Sequence, residues 1–195
     1  MKIKDKYIEL CVEDNFIGIG STRKVYKYNN IVIKRFLHPI GYKQGLNEQY
    51  MYDFLEKEGL AEHVAKVTYL DQQMLIQPYF KPLPLENGCS YEINLIHDSR
   101  LTDDLKDAIH LIDSKLDGFD FLDSGNYGLD DKGNLILIDY GMTKKLYENE
   151  WVPLAESGIL PQIFFNKCII CGLEKELRMY GDGDSDHRCI ECGKE

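Results

Sequence analysis

The sequence has no long apolar run. Its longest purely aliphatic stretch is Leu135–Ile138, far below the roughly 20 residues that a bilayer-spanning helix needs, so no membrane segment is expected. The opening MKIKDKYIELCVEDNF is charged but lacks an apolar core, so a secretory leader is not expected either. Basic residues are outnumbered, 23 Lys and Arg against 33 Asp and Glu, for a net charge of −10. That balance disfavours a chain that binds nucleic acid through bulk charge. Also missing are internal repeats, low-complexity tracts and the regular strand–helix alternation of a doubly wound sheet. The expectation is a cytoplasmic globular protein whose 195 residues, 44% of them apolar, suffice for one domain and an appendage.

The charge is unevenly spread: residues 1–50 carry net +4, residues 51–150 net −11 and residues 151–195 net −3. A mildly basic part beside an acidic one suits an anionic ligand held with the help of divalent cations. A solvated acidic surface accounts for the same pattern. Of the six cysteines, Cys11 and Cys89 stand alone, while Cys168, Cys171, Cys189 and Cys192 form CIIC and CIEC pairs with 17 residues between them. This spacing matches a structural zinc site, in which four thiolates close the tetrahedron. Gly172 and Gly193 follow the two pairs and let the backbone turn so that its N–H groups approach the sulfurs. The alternatives are two disulfides, for which no oxidising compartment is indicated, and a redox CxxC, which lacks its usual βαβ setting. His187 is a substitute ligand or a neighbour.

Periodicity predicts a strand within 6–13, a glycine turn over 15–20, and strands at 23–28 and 31–36 joined by Asn29-Asn30. An amphipathic helix follows over 44–57, ended by Gly59. Strands are expected at 64–70 and 74–77, then a linker broken by Pro78, Pro82 and Pro84. Beyond it come a helix over 103–115, a hairpin of 127–130 with 135–139, a short helix within 144–157, and the cysteine module from about Phe165.

Chemistry concentrates in a few places. Gly18 and Gly20 allow backbone to lie against phosphates without a Cβ clash, and Val25, seven residues after Gly18, points onto a flat ring. Lys34 ends the next strand as a point charge for phosphate oxygens. Asn126 and Asp139 lie 13 residues apart across a hairpin, which brings an amide oxygen and a carboxylate together as ligands for Mg2+.

In this order the residues resemble the protein-kinase-like superfamily, with its Gly-rich loop, strand lysine, helix glutamate, catalytic-loop asparagine and DFG-type triplet, here Asp139-Tyr140-Gly141. Compact kinase-like proteins of bacteria and their phages, some with DLHxGN-type loops similar to LDSGN, look closest. The resemblance covers residues 10–145. It implies an α+β, two-lobed protein-kinase-like fold with a reduced C-lobe plus a zinc ribbon: an N-lobe over 1–80, a C-lobe over 81–160 and the ribbon over 161–195. It implies an ATP- and Mg2+-dependent phosphotransferase in a bacterial or phage-infected host cytoplasm. Gly18, Gly20, Val25, Lys34, Gln77 and Tyr79 would hold the nucleotide, with Glu48 pairing Lys34, Asn126 and Asp139 holding Mg2+, and Cys168, Cys171, Cys189 and Cys192 holding Zn2+.

The sequence departs from that pattern in two places. Arg23 stands where the third loop glycine would be, and Phe121 stands five residues before Asn126, where the catalytic aspartate would be. Asp120 is one place early and Asp123 two places late, and either would serve as base. The alternative is a pseudokinase, a nucleotide-binding or protein-interaction module. A protein partner or small-molecule acceptor is expected beside the nucleotide, and the acidic tail makes nucleic acid a poor candidate.

Overall fold

The computed structural model describes residues 3–194. It is a mixed α/β structure with a four-cysteine module at its C-terminal end. Helix α1 (Ile3–Ile8) replaces the strand expected within 6–13. Tyr7, Leu10 and Cys11 then pack beside Tyr26, Ile33, Met74 and Ile76, a spacing that a helical turn and its exit satisfy and an alternating strand does not. The expected turn over 15–20 is largely strand β1 (Phe16–Ile19). Its register slips between Phe16 and Gly18, which is where a bulge would fall. Strands β2 (Arg23–Tyr28) and β3 (Ile31–Phe36) form the expected hairpin, with Asn29 at φ +51° in its turn.

Helix α2 (Pro39–Glu58) begins well before the expected residue 44. His38 accepts the Ile40 N–H on its ring nitrogen and Pro39 occupies the first turn, a good start because the missing N–H would have no partner there. Gly41 and Gly45 disguise this stretch in the sequence. They are needed because the helix presses on the sheet: a Cβ at Gly41 would lie 2.7 Å from the Thr22 carbonyl oxygen, and one at Gly45 2.9 Å from Leu70 Cδ1. Gly59, at φ +76°, ends the helix.

Strand β4 is only Tyr69–Leu70, and β5 is Met74–Pro78. These complete an antiparallel sheet of order β1-β2-β3-β5-β4. The rest of the expected 64–70 strand crosses to the second half of the molecule, where Ala65 N–H donates to the Leu137 carbonyl at 2.8 Å. The proline stretch contains β6 (Lys81–Pro82). Helix α3 (Asp103–Leu116) starts on Thr102, whose hydroxyl accepts the Leu105 N–H, with Asp103 and Asp104 in the first turn, favourable against the helix dipole. Strands β7 (Tyr127–Leu129) and β8 (Leu135–Leu137) join β6 in a small sheet. Helices α4 (Lys144–Leu146) and α5 (Val152–Glu156) flank a wider-turned segment, Tyr147–Trp151. The cysteine module is a hairpin of β9 (Gln162–Lys167) and β10 (Glu174–Met179).

The main core joins Met51 and Leu55 of α2 to Leu105 and Ile112 of α3 and to Leu135 and Leu137. Tyr127 and Tyr140 are buried there with their hydroxyls satisfied, donating to the carbonyls of Phe121 at 2.6 Å and Ala65 at 2.7 Å. No helix among the described residues is long and apolar enough to cross a membrane. Leu55 is wholly buried between the two halves. Leu55→Ala is therefore expected to cost about 2–5 kcal/mol, read as a lower urea midpoint with an unchanged slope.

Candidate functional site

Strand alternation puts Val25, Val32 and Lys34 on the face of the sheet opposite Tyr26 and Ile33. That face walls a cavity of about 210 Å³ whose lining includes Gly18, Val25, Lys34, Gln77, Tyr79 and Asp139. Gly18 and Gly20 border open space, since a Cβ on either would meet nothing within 4 Å.

Behind the cavity four charges converge from four different elements. Glu48 of α2 is fully buried and accepts from Arg23 Nη1 at 2.5 Å, Gln77 Nε2 at 2.8 Å and Lys34 Nζ at 3.5 Å. Asp139, just past β8, accepts from Arg23 Nη1 at 3.0 Å and lies 3.9 Å from Lys34 Nζ. Lys34 also donates to the Ile138 carbonyl at 2.6 Å. Two cations face two anions, which is how such a set tolerates burial. Burial raises the carboxyl of Glu48 above its ordinary value despite the pull of Arg23 and Lys34. For Asp139, burial pushes the same way but Lys34 and Arg23 prevail and hold it below the usual range. The side chain of Asp139 keeps 38% of its exposure, so it alone of the four opens on the cavity to that extent.

Arg23 enters the sequence analysis only as an absent glycine, yet it is the nearest cation to Glu48. The signal was in the register: Arg23 shares the inward face of β2 with Val25. Gln77 lines the cavity and also reaches behind it. Its side chain faces Glu48 and donates to the Ala65 carbonyl at 3.3 Å, so it braces the glutamate. Of the two neighbouring backbone donors, Pro78 has none and the Tyr79 N–H is given to the Asn30 carbonyl at 2.8 Å.

Facing this cluster is the loop before β7. Asn126 Nδ2 donates to the Asp120 carbonyl at 2.6 Å and to Asp120 Oδ2 at 3.1 Å, and the Asn126 carbonyl accepts the N–H groups of Ile138 and Asp139 at 2.8 and 3.3 Å. Asp120, at φ +68°, adopts the left-handed conformation that aspartate tolerates better than most residues. Burial raises its carboxyl; the Asn126 bond opposes this, and the charges of Asp123 and Asp139 add to it. Asp123 instead caps the short turn Ser124–Asn126 by accepting the Gly125 N–H at 2.8 Å. Gly141 lets the segment after β8 that carries Asp139 meet α2, where a Cβ would fall 2.7 Å from the Gln44 carbonyl carbon.

The second site is the cysteine module. The sulfurs of Cys168, Cys171, Cys189 and Cys192 all lie within 4.8 Å of one another. Zinc–sulfur bonds of 2.3 Å would space them about 3.8 Å apart, so the set fits a zinc ion. Gly172 at φ +72° and Gly193 at φ +96° make the turns, and the N–H groups of Ile170 and Cys189 reach Cys168 Sγ at 3.4 and 3.3 Å. Burial raises the Cys168 thiol, but the backbone N–H groups of Cys171, Cys189 and Ile170 outweigh it and bring it to about 6. All six cysteines are free of disulfides. His187 lies outside the sulfur group, its carbonyl accepting the Ile169 N–H at 3.0 Å.

No family model matches the chain, and a search among curated proteins finds no match. The metal site is directly checkable. The purified chain is expected to carry one zinc per molecule by metal-release assay, and Cys168→Ser should lose it; a full complement in that variant would rule out the four-sulfur set.

Proposed function

We propose that the chain is a compact, protein-kinase-like phosphotransferase that uses ATP and Mg2+, with residues 1–80 and 81–160 as its two lobes and the cavity between them as the nucleotide site. The observation that carries this reading is the convergence of Lys34, Glu48 and Asp139 at the cavity, with Asn126, whose carbonyl accepts the Asp139 N–H and whose amide bonds Asp120, directly beside them. Open space beside Gly18 and Gly20 leaves room for phosphates against bare backbone. The flanking Val25 and Val32 offer an apolar surface for a flat ring.

In this reading Glu48, gripped by Arg23 and Gln77, keeps Lys34 aimed at phosphate oxygens. Asp139 and the amide oxygen of Asn126 are the groups that would hold Mg2+, which when bound neutralises developing phosphoryl charge. Asp120, oriented by Asn126, accepts the proton of the attacking hydroxyl.

One observation favours a second reading, a nucleotide-binding module without turnover. Arg23 already neutralises Asp139, the residue a metal would need.

Radiolabelled ATP separates the two. Lys34→Ala and Asp139→Asn are each expected to abolish transfer, and persistence in both would overturn the enzyme reading. Asp120→Asn should lower turnover by about 10²–10⁴-fold while leaving ATP binding intact by thermal shift. Binding by the wild type with no transfer to any acceptor would favour the binding module.

The pH profile has a definite sign. Asp120 must be ionised to take a proton, and its carboxyl is raised. The rate should therefore fall with acidification at a pH above the ordinary aspartate value of about 3.9. Asp120→Asn should remove that limb.

A further inference from the structure

The cysteine ribbon is folded back onto the cavity. Strand β10 carries Arg178, 4% exposed, whose Nη1 donates to the carbonyl oxygen of Gly20 in the glycine turn. Its Nη2 reaches Tyr180 Oη at 3.2 Å, and the Tyr180 ring centre lies 6.0 Å from the guanidinium carbon. Arg178 sits between Leu177 and Met179, which form the small apolar core of the ribbon with Cys168 and Cys189. The position of this guanidinium is therefore set by the packing around two of the four sulfurs.

The ribbon also rests on the second half of the chain. A Cβ at Gly88 would lie 3.5 Å from the Phe165 ring, and one at Gly158 3.0 Å from the Tyr180 carbonyl oxygen. Glu176 of β10 is close enough to Asp123 that, beyond its burial, the charge of Asp123 raises its carboxyl. One module thus bonds the glycine turn through Arg178 and packs against Gly88 and Gly158 of the second half.

The turn needs such a restraint. Its glycines lack the side chains that would limit their backbone. On its far side Thr22 donates to Gln44 Oε1 at 2.6 Å and Arg23 is held by Glu48. Internally, the Gly20 N–H donates to the Arg23 carbonyl at 2.9 Å. The Gly20 carbonyl accepts from Arg178.

We propose that Arg178 is a positioning residue for the nucleotide cleft: the metal-shaped ribbon fixes the glycine turn from outside through the Gly20 carbonyl, so nucleotide affinity depends on the metal state of a module that itself touches no nucleotide. The inference rests on the reading of the cavity as a nucleotide site, and its mechanical half stands apart from that reading.

The test uses the full chain, with a fluorescent ATP analogue plus Mg2+, a zinc-release assay and amide hydrogen exchange at Gly20. Arg178→Ala is expected to keep its zinc, to bind the analogue about tenfold more weakly, as fits loss of one charge-assisted hydrogen bond, and to exchange the Gly20 amide faster. Arg178→Lys, which retains a donor, should lose less. Stripping zinc from the wild type should reproduce the Arg178→Ala loss, and stripping it from Arg178→Ala should add nothing. Unchanged Gly20 exchange in both Arg178 variants would overturn the proposal. So would equal weakening of wild type and Arg178→Ala on zinc removal. A wild type that binds no analogue but whose Gly20 exchange responds to Arg178 would sink the nucleotide reading and leave the latch standing.

Discussion

Four converging charges, three of them buried and Asp139 partly open, govern this molecule. Arg23 and Lys34 stand on adjacent strands, Glu48 on the helix that crosses them, and Asp139 on a loop from the other half of the chain. A charge taken out of water is costly unless a partner compensates it, and removing one member of such a set leaves another stranded, a loss of about 3–5 kcal/mol. The set is therefore complete only when sheet, helix α2 and the loop after β8 are all in place. Local folding of one half cannot satisfy it, since Arg23 and Asp139 lie 116 positions apart.

Close backbone approach is the second constraint, and it serves the first. Gly41 and Gly45 bring α2 down on the sheet, and Gly141 brings the Asp139 loop against α2. Without these missing side chains Glu48 would sit too far from both Lys34 and Asp139. Apolar packing of Leu55, Leu105, Ile112 and Leu137 supplies cohesion, while the glycines decide at what distance the polar groups meet.

Much of this was legible in the sequence where a single residue type carries a single physical meaning. The β2–β3 hairpin follows from two strand-like runs about Asn29-Asn30, and α3 from a stripe of Leu105, Ile109 and Ile112. The sulfur cluster follows from two CxxC pairs with trailing glycines. The readings that failed depended on tertiary context. Residues 6–13 alternate only weakly, and their packing on Tyr26 and Met74 decided for helix. The start of α2 was hidden by two glycines whose purpose lies in the neighbouring sheet. Arg23 looked like a defect in a loop because no local pattern reports a guanidinium whose partners are far along the chain. Asp120 and Asp123 could not be separated by spacing, because the positive φ that turns Asp120 toward Asn126 leaves no trace in residue order.

The bond from Arg178 to Gly20 joins residues 158 positions apart, and this has a meaning for synthesis. At translation rates of 5–20 residues per second, roughly ten to thirty seconds pass between the emergence of the glycine turn and that of its latch. During that interval the first sheet can fold, and α2 can dock on it, while the turn stays unrestrained and Glu48 and Arg23 await Asp139. The cleft therefore assumes its finished shape late in the birth of the polypeptide, after the cysteine pairs have left the ribosome.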